Sequence, residues 1–164
     1  MNRVKIKLLS QFDWHLWKKI RLEALKKNPE AFGSSFEEET LRSDSDWESS
    51  LISSDVFGAF SQNSLIGTAG FFTYSQTKQK HKGGLFGVYV LPEFRNKKIA
   101  NQLISAVLEH AKNKVLQVHC TVVTKNPIAI RLYEQHGFVS YGLEPRALKI
   151  GDEFVDEILM VKQF

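Results

Sequence analysis

The chain has 164 residues, 43% of them hydrophobic and 12% aromatic, which fits one globular domain over residues 1–164 and excludes a disordered chain. Its 22 lysines and arginines against 18 aspartates and glutamates leave a net charge of +4, enough to favour an anionic ligand but too diffuse for a nucleic-acid footprint. The lone Cys120 excludes an internal disulfide, and no apolar run reaches the length of a membrane span, so a cytoplasmic protein with no membrane or nucleic-acid partner is expected.

Val4, Ile6 and Leu8 alternate with Arg3, Lys5 and Lys7, the period of a strand over residues 3 to 9. A helix from Phe12 to Lys27 follows, opened by Ser10-x-x-Asp13, with Trp14, Trp17, Ile20 and Ala24 on its apolar face. Asn28 to Ser35 carries turn formers and reads as a loop, and a short helix is expected around Asp46 to Ile52. Strands at Val56 to Ser61 and Leu65 to Tyr74 flank Gln62-Asn63-Ser64, a hairpin turn. Ser75 to Gly84 is polar and lysine-rich, an exposed loop.

Leu85 to Leu91 is an apolar strand closed by Pro92, and Phe94 to Ala100 is a basic turn that ends where a helix begins. A helix start leaves backbone N–H groups without partners and carries the positive end of the dipole, so cations beside it suit a bound phosphate. In the helix from Lys98 to Lys112, Ile99, Leu103, Val107 and Ala111 form a stripe that can pack on a sheet. Val115 to Thr124 is the next strand. Asn126 is a preferred cap, Pro127 suits the first helical position, and Gly137 sits where a helix stops, so residues 127 to 136 form a helix. Phe138 to Ile150 and Phe154 to Lys162 make an antiparallel pair about Gly151-Asp152.

Two stretches of this second half resemble the signatures of the GCN5-related N-acetyltransferase (GNAT) family. The family's pyrophosphate loop reads Arg/Gln-x-x-Gly-x-Gly/Ala after a strand ending Val-x-Pro; here Val90-Leu91-Pro92 and Arg95-Asn96-Lys97-Lys98-Ile99-Ala100 stand in those places. The second signature is matched by Asn126, Ala129, Leu132-Tyr133 and Gly137-Phe138. The resemblance covers residues 84 to 138 in detail and, through the order β-α-α-β-β-β-α-β-α-β-β, the whole chain in outline. It implies an α/β (α+β) GNAT fold, with a central mixed, mostly antiparallel twisted sheet of about seven strands flanked by about four helices.

The same resemblance implies acetyl-CoA as cosubstrate and an amine acceptor as the second partner, with no metal. The pantetheine arm would lie along Val88, Tyr89 and Val90. Amides from Asn96 to Ala100, among them those of Lys97, Lys98 and Ile99, would hold the pyrophosphate together with Asn101, while Arg95 and Lys97 supply charge. Lys98 stands where the family has glycine. Either the loop has room for its Cβ, with the ammonium directed to phosphate, or glycine is needed and CoA binding is impaired. Tyr133 is the catalytic candidate: a phenol with a pKa of about 10 stays protonated at neutral pH and can protonate a departing thiolate. Asn126, two helical turns earlier, would contact CoA from the same side. Taken singly, the tyrosine could pack at an edge and the asparagine could only cap.

No base is evident, because Leu85, Phe86 and Gly87 supply no carboxylate; Glu37, Glu38, Glu39, Glu144, Asp156 and Glu157 are the alternatives. Ser35-x-x-Glu38 also reads as a capping box. The segment from Phe32 to Glu39 is the expected acceptor border, with Phe32 and Glu38 as substrate contacts. The five histidines lack metal-ligand spacing, and Cys120 reads as a buried hydrophobe. The function implied is acetyl transfer from acetyl-CoA to a primary amine of a small molecule or a protein N-terminus. The alternative is a CoA-binding module of the same fold that has lost catalysis, and a homodimer is compatible with either.

Overall fold

In the computed structural model, which describes residues 3–164, the alternating N-terminal segment becomes β1 (Val4–Leu8), an edge strand. A single 3-10 turn leads into α1 (Trp14–Lys27), where the Asp13 carboxylate accepts hydrogen bonds from the backbone N–H and the hydroxyl of Ser10. After α1 come the short α2 (Phe36–Thr40) and α3 (Asp44–Ser53), the latter held by a Ser43/Asp46 capping box. β2 (Asp55–Ser61) and β3 (Ser64–Thr73) form the expected hairpin. Then follow β4 (Lys82–Val90), α4 (Ile99–Ala111), β5 (Gln117–Val123), α5 (Pro127–Gln135), β6 (Val139–Ile150) and β7 (Glu153–Gln163).

All seven strands join one sheet in the order β1-β2-β3-β4-β5-β7-β6, antiparallel throughout except between β4 and β5. Its two faces carry separate cores. Trp17, Ile20 and Ala24 of α1 pack with Trp47 and Leu51 of α3 on one face; Ile99, Leu103, Ile104, Val107, Leu108 and Ala111 of α4 cover the other. The α4 stripe is thus wider than the four-residue steps suggest, because a helix lying flat on a sheet buries about half its circumference. Each large aliphatic side chain so buried contributes roughly 1.5–3 kcal/mol.

Two sequence expectations change. The helices number five among the described residues rather than about four, the extra one being the short α2. The polar loop after β3 ends sooner than expected, since Lys82, Gly83 and Gly84 belong to β4. Glycines weaken a strand signal, yet here they are required: a Cβ on Gly83 would stand 2.3 Å from the Phe71 ring, and one on Gly84 2.3 Å from the Phe72 ring. Those three residues make the pairing between β4 and β5.

Candidate active site

β4 and β5 pair only from Lys82–Gln117 to Gly84–His119, after which they part. β4 itself bends where they separate: its register against β3 shifts between Thr68 and Gly70, and Gly87, at φ +62, adopts the left-handed backbone. A bulge of this kind turns a strand away from its neighbour. The result is a cleft of about 1030 Å³ bounded by β4, the following loop, the start of α4, β5 and α5. Val88, Tyr89 and Val90 line it on one side and Thr121, Val122 and Val123 on the other.

At the wide end, two residues of the basic turn have left-handed backbone, Asn96 at φ +62 and Lys98 at φ +59, ψ +20. The Lys98 conformation explains the glycine of the motif, because an L residue with a Cβ pays a steric penalty there that glycine escapes. Lys98 caps α4 in this conformation without a side-chain capping bond. Arg95, Asn96, Lys98, Ile99, Ala100 and Asn101 line the cleft, and Lys125 and Arg131 approach from the α5 side, with Glu30 the lining carboxylate. This end therefore combines unpaired helix N–H groups with an excess of cations, the electrostatics that favour a phosphate.

The two outer cations are less free than their charge suggests. Arg95 turns back on the strand, its Nε donating to the Val90 carbonyl at 3.0 Å, a terminal nitrogen reaching Asn28 Oδ1 at 3.5 Å, and its guanidinium standing 5.4 Å from the Tyr89 ring centroid. Lys97 donates to the Glu93 carbonyl at 3.5 Å and lies over the Phe94 ring, outside the cleft lining. Tyr89 fixes this corner through its ring, with Phe32 at 6.4 Å, while its hydroxyl is buried without a partner among the described residues.

Across the cleft, α5 is aimed by its cap: Asn126 Oδ1 accepts from the Ala129 N–H at 3.1 Å, and Pro127 occupies the first helical position. Asn126 is thus a cap, and its residue also lines the cleft. Tyr133 lies two turns on, its ring against Phe138 at 5.8 Å and its residue 9% exposed. Burial raises the phenol pKa well above its ordinary value, with the Cys120 thiol adding to the shift and no hydrogen bond opposing it. Cys120, with its thiol pushed up to about 12 by burial, is an inert apolar filler as expected. Tyr133 thus lines the cleft as a protonated phenol.

The acceptor side is only partly brought together. Phe32 lines the cleft beside Asn28, Glu30 and Ala31 of the segment after α1. Glu38 is exposed and outside that lining, and its backbone N–H donates to Ser35 Oγ at 3.2 Å to cap α2. Glu39 forms a two-point pair with Arg21, 3.1 and 3.3 Å, both side chains 12% exposed. Asp156 accepts from the Arg146 N–H at 2.8 Å. His119, at the last paired rung of β4 and β5, is bonded through Nε2 to the Gln117 carboxamide at 2.7 Å and through Nδ1 to the Tyr141 hydroxyl at 3.2 Å. Sequence spacing could not find the Arg21–Glu39 pair or the Tyr141 contact, because each joins residues far apart in the chain. Among the described residues no group of three metal-ligating side chains occurs.

The profile of the Acetyltransferase (GNAT) family matches residues 17–138, which include the cleft loop, α4, β5 and α5. The chain belongs to this family. The GNAT fold is also shared with solved structures: a GNAT acetyltransferase from Streptococcus pneumoniae superposes with a TM-score of 0.86 at 22% identity, covering 99% of this chain and 100% of that one. A ribosomal-protein-alanine N-acetyltransferase from Brucella melitensis gives 0.81 at 19% identity, with 98% and 99% covered. The protein yncA of Salmonella typhimurium, solved with its cofactor acetyl-CoA, gives 0.82 at 17% identity, with 98% and 94% covered. Sequence comparison with curated proteins finds no match. Membership of the GNAT family makes the chain an acetyltransferase by class. No helix among the described residues is long and apolar enough to cross a membrane.

Proposed function

We propose that the protein transfers an acetyl group from acetyl-CoA to a primary amine by direct attack. One observation carries the reading: a single cleft is lined both by a cationic, left-handed helix start and by the protonated Tyr133. The acetyl-CoA held by the Salmonella relative of the same fold supports the assignment. The loop from Asn96 to Asn101 would bind the pyrophosphate, and the unpaired edges of β4 and β5 would take the amides of the pantetheine arm.

The amine first loses a proton to water, then its nitrogen bonds to the thioester carbonyl carbon. Collapse of the adduct breaks the carbon–sulfur bond and leaves the electron pair on sulfur. Tyr133 supplies the proton to that sulfur and is restored by the second proton of the attacking nitrogen, so the balance is one amide, one thiol and one proton released. The same exclusion of water that raises the phenol raises the proton affinity of the departing thiolate, so the two stay matched.

The test is an acetyl-CoA-dependent screen of amines spanning polyamines, amino-acid derivatives, aminated antibiotics and peptide N-termini, read by release of free CoA. Turnover with any of them supports transfer. CoA binding with no turnover across the set would favour the catalytically inert binding module instead, and no calorimetric heat with millimolar CoA would remove the cosubstrate itself.

A further inference from the structure

Asn101 sits in the first turn of α4 and lines the wide end of the cleft. A carboxamide has two faces, an oxygen that accepts and an NH₂ that donates, and only the NH₂ can favourably meet an anion. What decides its orientation is the group that holds the other face. Asn101 Oδ1 lies 3.2 Å from Nε2 of His136, a half-buried residue that closes the C-terminal end of α5. Burial, and after it the charge of Lys162, keep the imidazole pKa below its ordinary value, so near neutral pH the ring is uncharged and carries one hydrogen. An oxygen opposite Nε2 selects the tautomer with the hydrogen there.

We propose that His136 is a positioning residue for the CoA pyrophosphate: by donating Nε2–H to Asn101 Oδ1, it turns the Asn101 NH₂ group into the cleft. The inference rests on the acetyl-CoA reading above. It gives α5 two roles at the site, since the helix carries Tyr133 and, one turn further, the residue that orients a donor toward the phosphate. His136 lies at an unspecified position between the Leu-Tyr and Gly-Phe pairs of the signature, and its partner is 35 residues away, so only the folded chain brings the two together. Without the imidazole the carboxamide is free to turn over and present its oxygen to the phosphate.

The experiment measures CoA binding by calorimetry for the whole protein and for His136→Ala, His136→Gln, Asn101→Ala and the His136→Ala/Asn101→Ala double variant. Pantetheine, which lacks the pyrophosphate, serves as the second probe in an NMR titration. His136→Ala should weaken CoA about two- to tenfold, the span of one net hydrogen bond. His136→Gln, which keeps an N–H donor, should restore most of that loss, and the double variant should be no weaker than Asn101→Ala alone. Pantetheine affinity should be unchanged in every variant. CoA binding by His136→Ala equal to the unaltered protein, an equal loss for pantetheine, or a full additional loss in the Asn101→Ala background would each overturn the inference. Failure of the unaltered protein to bind CoA would instead sink the acetyl-CoA reading, so the two failures are distinguishable.

Discussion

Replacing Lys98 by glycine tests the account of the cleft loop most directly. Lys98 holds φ +59, ψ +20 at the start of α4, is exposed, and makes no side-chain capping bond. The left-handed conformation costs an L residue about 1–2 kcal/mol. Glycine escapes that cost but brings a more flexible unfolded chain, worth about 0.4–1 kcal/mol in the opposite direction. The difference leaves Lys98→Gly more stable by about 0.5–1 kcal/mol, which for a chain of this size raises Tm by about 1–4 °C. The assay is a thermal melt of the ligand-free protein followed by a CoA titration. Loss of one exposed cation beside the phosphate should weaken CoA by less than about fivefold, the range of a surface charge pair. A lower Tm would show that the lysine side chain supports the loop in a way its exposure does not reveal. A CoA loss larger than that of Arg95→Ala combined with Lys97→Ala would make Lys98 the principal phosphate ligand and reverse the account.

Tyr133→Phe should lower the rate of the acetyl-transfer step by about 10²- to 10⁴-fold while leaving CoA affinity and Tm nearly unchanged, since the ring against Phe138 stays and no hydrogen bond is lost; an unchanged single-turnover rate would remove Tyr133 as the acid. The Arg95→Ala/Lys97→Ala variant should weaken CoA and flatten its dependence on salt between low and physiological ionic strength, and it should also lower Tm, because Arg95 ties the turn to the Val90 carbonyl and Asn28. Asp55 joins β2 to the end of α4, accepting from His110 at 2.8 Å and Lys114 at 2.9 Å. Burial works to raise its carboxyl pKa, but the bonds from His110 and Lys114 outweigh it and hold the group below its ordinary value. Its contribution is therefore present above the unfolded carboxylate range and lost as pH falls through the lower folded value, so Asp55→Asn should flatten the acid limb of a Tm-against-pH curve below about pH 4; parallel acid limbs for the two proteins would show that the Asp55 bonds add nothing. Leu103→Ala, at a site with no exposure under α4, should cost about 2–5 kcal/mol by denaturant unfolding.

Short-range information in the chain was enough for most of the elements. The caps at Asn126 and Ser10, the stripe of α4 and the hairpin at Gln62-Asn63 depend on groups within a few residues of one another, and each stands in the structure as the sequence implied. The two ordered signatures located the basic turn before α4 and the α5 tyrosine for the same reason: a loop followed by a helix start is a local geometry written in consecutive residues. Where the reading fell short, the deciding contact was distant. Lys82 to Gly84 look like loop because glycine has no intrinsic strand preference, and only the rings of Phe71 and Phe72 lying over them explain why glycines form the rung against β5. The Arg21–Glu39 pair and the His136–Asn101 bond join separate elements, so no spacing rule reveals them. The parting of β4 from β5 is the extreme case. It arises from the Gly87 bulge against β3, from the short run of parallel pairing, and from the place of β7 on the far side of β5, three non-local choices that open the cleft between residues the sequence could name but not bring face to face.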